Sequence, residues 1–402
     1  MKLLKLFLIT FVLLPSPLFA QQDFVVALSF PANITNVVND LTISQYESSS
    51  DNLFHKIVVT DNLSATEILE QLNSNGAVFH AEANKSVQLD SIDTPVILDS
   101  RSILMLDDDL NQLPGGSSNP LEIWDQPFHR LIEHREVMRY ARGAGMTVAV
   151  IDTGVDTSHP FLSPYLINGY DFIDNDWDPN EENAVYGITG ANEIGYGHGT
   201  HVAGIIRLVA PDANIMPIRV VDSRGHAELF DVIQGIAHAV KNNADVINMS
   251  FSVSETSPLL NLWIDEAHRN NILVVTSAGN ENTSNLNFPA NIPGVVTVSS
   301  ITNTGYKSGF ANYGNLVDLV APGEQITSCY PGGGWAGRSG TSMATPMVAA
   351  QAAVLRSYRT ATSRDDLVRA IYYTSYSVSY LNPGRGLGEG LIDMWKALVW
   401  VH

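Results

Sequence analysis

Cysteine occurs once in 402 residues, as Cys329, so no disulfide can form within the chain. Positive charge is scarce as well: 22 lysines and arginines face 42 aspartates and glutamates, for a formal net charge of −20. Acidic residues are in excess both before and after residue 117, so no basic face is offered to nucleic acid or to anionic lipid. Long apolar runs are missing too. The run from residue 6 to residue 14 is too short for a membrane span, and none later is long enough.

That first run reads as an export signal. Lys2 and Lys5 precede it and small Ala20 follows, the layout of a cleavable signal peptide over residues 1–20. Leu18, two residues before Ala20, is less usual there than alanine, and an uncleaved anchor is the alternative. A cleaved signal predicts a secreted protein, extracellular or periplasmic, with no membrane attachment afterwards.

What the chain does have is apolar residue, 45% of the total, enough for a large core. Residues 21–117 make up a candidate small α+β domain. Ile57-Val58-Val59-Thr60 predicts a strand. Ser64 and Glu67 stand at capping-box spacing with Leu63 and Ile68 at the staple positions, so a helix begins there. Leu69 and Leu72 extend its apolar face, Gly76 is a natural stop, and residues 77–82 predict a second strand. Leu113-Pro114-Gly115-Gly116-Ser117-Ser118-Asn119-Pro120 is the best linker in the sequence.

From residue 118 to 402 a different pattern runs. Residues 147–151, 215–221, 245–250, 272–276 and 295–299 are short, strand-like apolar runs. Between them, Val232, Ile233, Ile236, Ala237 and Val240 share one helical face, and residues 259–267 behave alike. Alternating strands and helices predict an α/β fold, a three-layer doubly wound sandwich with a mostly parallel central sheet. Sites in such sheets lie beyond the carboxyl ends of the strands, and Asp152 directly follows one.

Three stretches carry the chemistry. They are Val148-Ala149-Val150-Ile151-Asp152-Thr153-Gly154, then Gly197-His198-Gly199-Thr200-His201-Val202-Ala203-Gly204, then Gly340-Thr341-Ser342-Met343-Ala344-Thr345-Pro346. The last sits just ahead of an Ala- and Val-rich helical run over residues 347–355, with Pro346 in its first turn. A serine hydroxyl is a poor nucleophile at neutral pH and needs a base, itself oriented by a carboxylate. In this order the motifs resemble the subtilisin-like serine peptidases, from about residue 126 to the C-terminus.

The resemblance implies Ser342 as nucleophile, His198 as base and Asp152 as its orienting acid. It also implies an oxyanion donor at Asn280, in Thr276-Ser277-Ala278-Gly279-Asn280, beside the backbone N–H of Ser342. Two substrate-lining segments follow from it: Gly225, His226 and Ala227 on one side, Ser250, Phe251 and Ser252 on the other, with Glu281 at the pocket rim. The family usually continues from that serine into Leu-Gly-Gly. Here Phe251-Ser252-Val253 follow Ser250, which predicts a reshaped pocket and weaker selection for large aromatics. Phe288-Pro289-Ala290 resembles a family segment with a cis bond. The N-terminal domain resembles the family's propeptide, an intramolecular chaperone and inhibitor, with a maturation cut near the linker or some twenty residues earlier.

His198 and His201, spaced i, i+3, lack the glutamate and third ligand of a zinc helix, so His201 is expected to pack inside the helix start. No cofactor is needed for the chemistry. Asp171, Asp174, Asp176 and Asp178 gather oxygen donors that suit a structural calcium ion, and the segment resembles a calcium loop of some relatives. The family's long calcium-binding insertion after the histidine motif is missing, however, and a solvated acidic loop is the other reading.

The expected molecule is therefore a monomeric serine endopeptidase acting on protein or peptide substrates, made as a self-processed precursor. An α/β-hydrolase esterase is excluded, because Ala344 ends the serine motif and only His402 lies beyond Ser342. A catalytically weak or inactive binding protein on the same fold is the alternative.

Overall fold

The structure, a computed structural model, describes residues 21–61, 63–89, 96–98, 121–182, 195–253 and 256–402. The signal and the 113–120 linker predicted from sequence lie outside the described residues. Two compact units divide between Asn84 and Lys85.

The first unit contains β1 (Gln22–Leu28), the helical turn α1 (Ile34–Val37), β2 (Ile43–Ser48), β3 (Phe54–Val59), α2 (Ala65–Ser74) and β4 (Val78–Ala83). Its strands form one antiparallel sheet in the order β2-β3-β1-β4. Phe24, Val26 and Leu28 alternate along β1 toward one face, where Ile68 and Leu72 of α2 join them in a common core. The capping box is present: Ser64 N–H donates to Glu67 Oε2 at 2.8 Å, and Glu67 N–H donates to Ser64 Oγ at 3.3 Å. The sequence predicted β3, α2 and β4 here; β1 and β2 were not foreseen.

The second unit opens with β5 (Ser86–Leu89), β6 (Val96–Leu98) and three helical turns, α3 (Leu121–Trp124), α4 (Phe128–Leu131) and α5 (His134–Val137). Then come β7 (Thr147–Asp152), β8 (Tyr170–Asp171), α6 (His198–Val209), β9 (Asn214–Arg219), β10 (His226–Glu228) and α7 (Leu229–Lys241). They are followed by β11 (Val246–Met249), β12 (Phe251–Val253), α8 (Pro258–Arg269), β13 (Leu273–Ser277), β14 (Val296–Ile301) and β15 (Leu319–Pro322). The hairpin β16 (Ile326–Tyr330) and β17 (Gly334–Arg338) leads into α9 (Thr341–Tyr358), and α10 (Arg364–Thr374) and α11 (Met394–Val401) close the chain.

Seven strands form a parallel sheet in the order β15-β14-β13-β11-β7-β9-β8. Every residue of β7, β11, β13, β14 and β15 is buried, which requires cover on both faces and explains their near-continuous apolar runs. Helices α6 and α9 pack on each other, as do α7 and α8. This is the three-layer α/β fold expected from the alternation of elements.

Small residues let the helices come close. Ala349, Ala350, Ala352 and Ala353 of α9 are fully buried. On α6, a Cβ added to Gly204 would stand 2.2 Å from Ser328 Oγ and 2.8 Å from both the nitrogen and the Sγ of Cys329. Gly204→Ala should therefore overpack the contact between α6 and β16, costing about 1–3 kcal/mol. Thermal unfolding should show a midpoint lowered by several degrees; an unchanged midpoint would mean that β16 yields freely.

Candidate active site

Because neighbouring strands are parallel, the carboxyl ends of β7, β11 and β13 share one edge of the sheet. Asp152 ends β7, Ser250 directly follows β11, and Asn280 lies three residues past β13. Two helices begin at that edge. His198 is the first residue of α6, and Ser342 is the second of α9.

His198 Nδ1 lies 2.7 Å from Asp152 Oδ1, and both side chains are almost wholly buried. The carboxylate also accepts the Thr153 backbone N–H at 2.8 Å. A Cβ on Gly199 would fall 2.1 Å from Gly154 O and 3.2 Å from Asp152 Oδ1, so only glycine lets the helix start press this near to Asp152. Ser342 Oγ donates to Ser250 O at 3.2 Å, and His198 Nε2 has no hydrogen-bond partner among the described residues. The expected Ser342–His198 hydrogen bond is thus not made. A serine hydroxyl turns on one rotor, and such contacts tighten when substrate binds.

Helix α9 begins at Thr341, six residues before the predicted start, which leaves Pro346 inside the helix rather than in its first turn. Proline has no N–H for the carbonyl four residues back, here Ser342 O. Ser250 Oγ donates to that carbonyl instead, at 3.4 Å. Asn248 Nδ2 in turn donates to Ser250 Oγ at 3.1 Å, which ties β11 to the helix head.

Asn280 is held by its oxygen, which accepts from Thr341 N–H at 3.0 Å and from Thr341 Oγ1 at 3.1 Å. Its Nδ2 and the backbone nitrogen of Ser342 both lie 3.6 Å from where a Cβ on Gly340 would stand. Two N–H donors thus lie near one another at the head of α9, as stabilisation of an oxyanion requires.

The two predicted substrate-lining segments are β10 and β12, and a strand already lies between them. β5 pairs antiparallel with both, placing Gln88 opposite His226 and Ser252, and Val87 opposite Ala227 and Val253. Gly225 turns the chain into β10 at a positive φ of 86°. Phe251 is fully buried and Ser250 likewise. Glu281 is exposed, and its Oε2 accepts from Asn312 Nδ2 at 2.6 Å. The Phe288–Pro289 bond is cis. Farther along, β6 pairs antiparallel with β17, Val96 opposite Gly337.

The aspartates proposed for calcium are otherwise engaged. Arg219, buried at the end of β9, forms ion pairs with Asp171 and, at 2.6 Å, with Asp174. Asp176 and Asp178 turn their Oδ1 atoms to backbone N–H groups of their own loop. Among the described residues no three such ligands converge. The donor set does not fit a calcium ion, since a guanidinium already supplies the positive charge. The sequence offered no sign of this, because Arg219 lies outside the acidic loop. His201 is buried as expected, its Nε2 3.0 Å from the carbonyls of Ile326 and Ala336. Burial, and next the Arg338 guanidinium, hold its pKa well below the usual value.

Residues 143–390 match the model of the Subtilase family. The chain belongs to the subtilase family. This subtilase is 36% identical over 279 residues to an intracellular serine protease of Paenibacillus polymyxa, covering 65% of this chain and 83% of that one. It is 35% identical to thermitase of Thermoactinomyces vulgaris over 268 residues, 64% of this chain and 90% of that one. Its fold matches fervidolysin from Fervidobacterium pennivorans with a TM-score of 0.74 at 23% identity, covering 95% of this chain and 61% of that one. A cold-adapted subtilisin-like serine proteinase matches with a TM-score of 0.57 at 34% identity, over 63% of this chain and 90% of that one. The subtilase is a serine endopeptidase, a hydrolase acting on protein or peptide substrates.

Gly340→Ala tests the donor pair at the head of α9. A methyl group there would stand 3.6 Å from both donors, at a φ of 159° that L side chains rarely adopt, so kcat should fall by about 10²-fold or more. A fully active variant would mean that the reacting oxygen sits elsewhere.

Proposed function

We propose that this subtilase is an exported endopeptidase that hydrolyses peptide bonds through an acyl-enzyme on Ser342. The observation that carries the catalytic reading is the buried 2.7 Å contact between His198 and Asp152, at the same edge of the sheet where Ser342 heads α9. Ser342 Oγ adds to the substrate carbonyl carbon while its proton passes to His198 Nε2, the ring nitrogen left without a partner among the described residues. Asp152 holds the imidazole by its other nitrogen and stabilises the cation that forms. Asn280 and the Ser342 N–H donate to the oxyanion. Collapse expels the amine, which takes the proton from His198, and water repeats the sequence to free the acid. Export rests on Lys2, Lys5 and the apolar run that follows them.

The enzyme is made as a precursor that cuts itself. Support comes from β5, which lies where an extended substrate would pair with β10 and β12. Its Leu89 end pairs with Phe251, next to Ser250, whose carbonyl meets Ser342 Oγ. Val96, the next described residue, pairs with Gly337, five residues before Ser342. β5 and β6 thus bracket residues 90–95 in the sequence, and the bond cut is assigned to that stretch, between Leu89 and Val96. The segment removed acts as an inhibitor while it stays in place.

Expression in a peptidase-deficient host tests this. The wild type should mature to a chain beginning between residues 90 and 96, and Ser342→Ala should remain the uncut precursor. Normal processing of Ser342→Ala, or a mature chain beginning at the 113–120 linker, would overturn self-processing at this place.

Two further outcomes bear on catalysis and selectivity. Asn280→Ala should lower kcat by about 10²–10³ with KM nearly unchanged; a change confined to KM would make Asn280 a binding residue. With Phe251-Ser252-Val253 in the wall, a peptide library should show weak preference for Phe or Tyr before the cut, and a strong one would refute the reshaped pocket.

A further inference from the structure

Helix α6 starts with a problem. Its N-cap is Gly197, which has no side chain to receive the free N–H groups of the first turn. The base His198 occupies that turn, so whatever receives those groups also sets where the imidazole stands. One of them is met locally, by Gly195 O, which accepts His198 N–H at 2.9 Å. The others go to residues far away in sequence.

Glu181 takes most of them. Its Oε1 accepts Gly197 N–H at 2.6 Å, and its Oε2 accepts Thr200 N–H at 3.3 Å. Two hydroxyls complete the set. Thr153 Oγ1 donates to Oε1 at 2.5 Å and accepts Gly199 N–H at 2.9 Å. Thr200 Oγ1 donates to Oε2 and accepts Asp156 N–H at 2.8 Å. Each carboxylate oxygen thus has two donors, all that an ionised carboxylate can use well. Thr153 follows Asp152 directly, and its own N–H is bound to Asp152 Oδ1. Glu181 therefore joins the loop after β7 to the helix that carries the base, through hydrogen bonds to both.

We propose that Glu181 is a positioning residue for catalysis, holding the start of α6 against the Asp152 loop so that His198 keeps its bond to Asp152. The proposal rests on the catalytic roles given above to His198 and Asp152. A negative group also belongs at this place electrostatically, because the helix start carries partial positive charge. The side chain is buried, and burial pushes its carboxyl up to about 7 despite the donors around it. A carboxylate kept in so costly a place, with every oxygen used, points to a part in fixing geometry rather than in filling space.

The test compares Glu181→Ala, Glu181→Gln and Thr153→Val with wild type. It measures kcat, KM and the downfield proton resonance of the His198 Nδ1–H bonded to Asp152. Glu181→Ala should lower kcat by about 10–100-fold with KM within roughly two-fold, because misplacement of a base by about an ångström is felt in turnover. The resonance should shift or broaden. Glu181→Gln, which keeps one acceptor oxygen, should recover part of the rate, and Thr153→Val should move both readouts in the same direction by less. Rates within two-fold of wild type, or a lowered kcat with the resonance unmoved, would overturn the proposal. If Glu181→Ala does not fold, Thr153→Val decides on the same criteria. Wild type measured alongside separates the two readings: absence of Ser342-dependent turnover would overturn the proposed function and this inference with it, whereas variants matching an active wild type overturn this inference alone.

Discussion

A carboxylate with no solvent exposure depends on donors that the protein itself supplies, and those of Asp152 reach one of its oxygens, Oδ2 having none among the described residues. Its Oδ1 meets the imidazole of His198 and the N–H of Thr153, and the surroundings are arranged to bring those two donors in. The parallel sheet supplies the first condition by ending β7 where Asp152 stands. Gly199 supplies the second, since any larger residue would hold the helix off. Bonds from Glu181 and Thr153 then fix how far the helix start can move.

The serine is held by a different device. Pro346 removes one rung from the hydrogen-bond ladder of α9, and Ser250 uses the carbonyl that this releases. A break that would weaken an exposed helix here connects the turn of Ser342 to the end of β11. Thr341 does the same for Asn280, using both its N–H and its hydroxyl. Ser342, His198 and Asn280 are each anchored to a different strand end, and the sheet sets their spacing.

Much of this was legible in the sequence, for a physical reason. Asp152, His198, Ser342 and Asn280 stand in short motifs whose small neighbours are required by close packing, and such requirements leave a local trace. The apolar runs of β7, β9, β11, β13 and β14 were legible because a sheet covered on both sides needs unbroken burial. What escaped depends on partners distant in sequence. β15, β16 and β17 carry two glycines, a serine and a proline that blur any strand pattern. Glu181 looks no different from Asp178 or Glu182 beside it until the fold brings the start of α6 to it. The acidic loop left calcium and a solvated loop equally open in the sequence, because its counter-charge, Arg219, arrives from another strand. The early start of α9 was hidden by Pro346, which in sequence resembles a first-turn residue.

The seating of β5 between β10 and β12 has a consequence for competition. A strand carried on the same chain meets its groove at an effective concentration set by the tether rather than by the solution, on the order of millimolar for a short flexible link. An extended peptide of equal affinity from outside must exceed that level to displace it. Once the tether is severed, the same strand becomes one solute among others, and dilution alone favours its departure. In a chain cut as proposed above, main-chain pairing that is indifferent to sequence acts as a timer, since the cut changes the connectivity of the chain and not the strength of any contact.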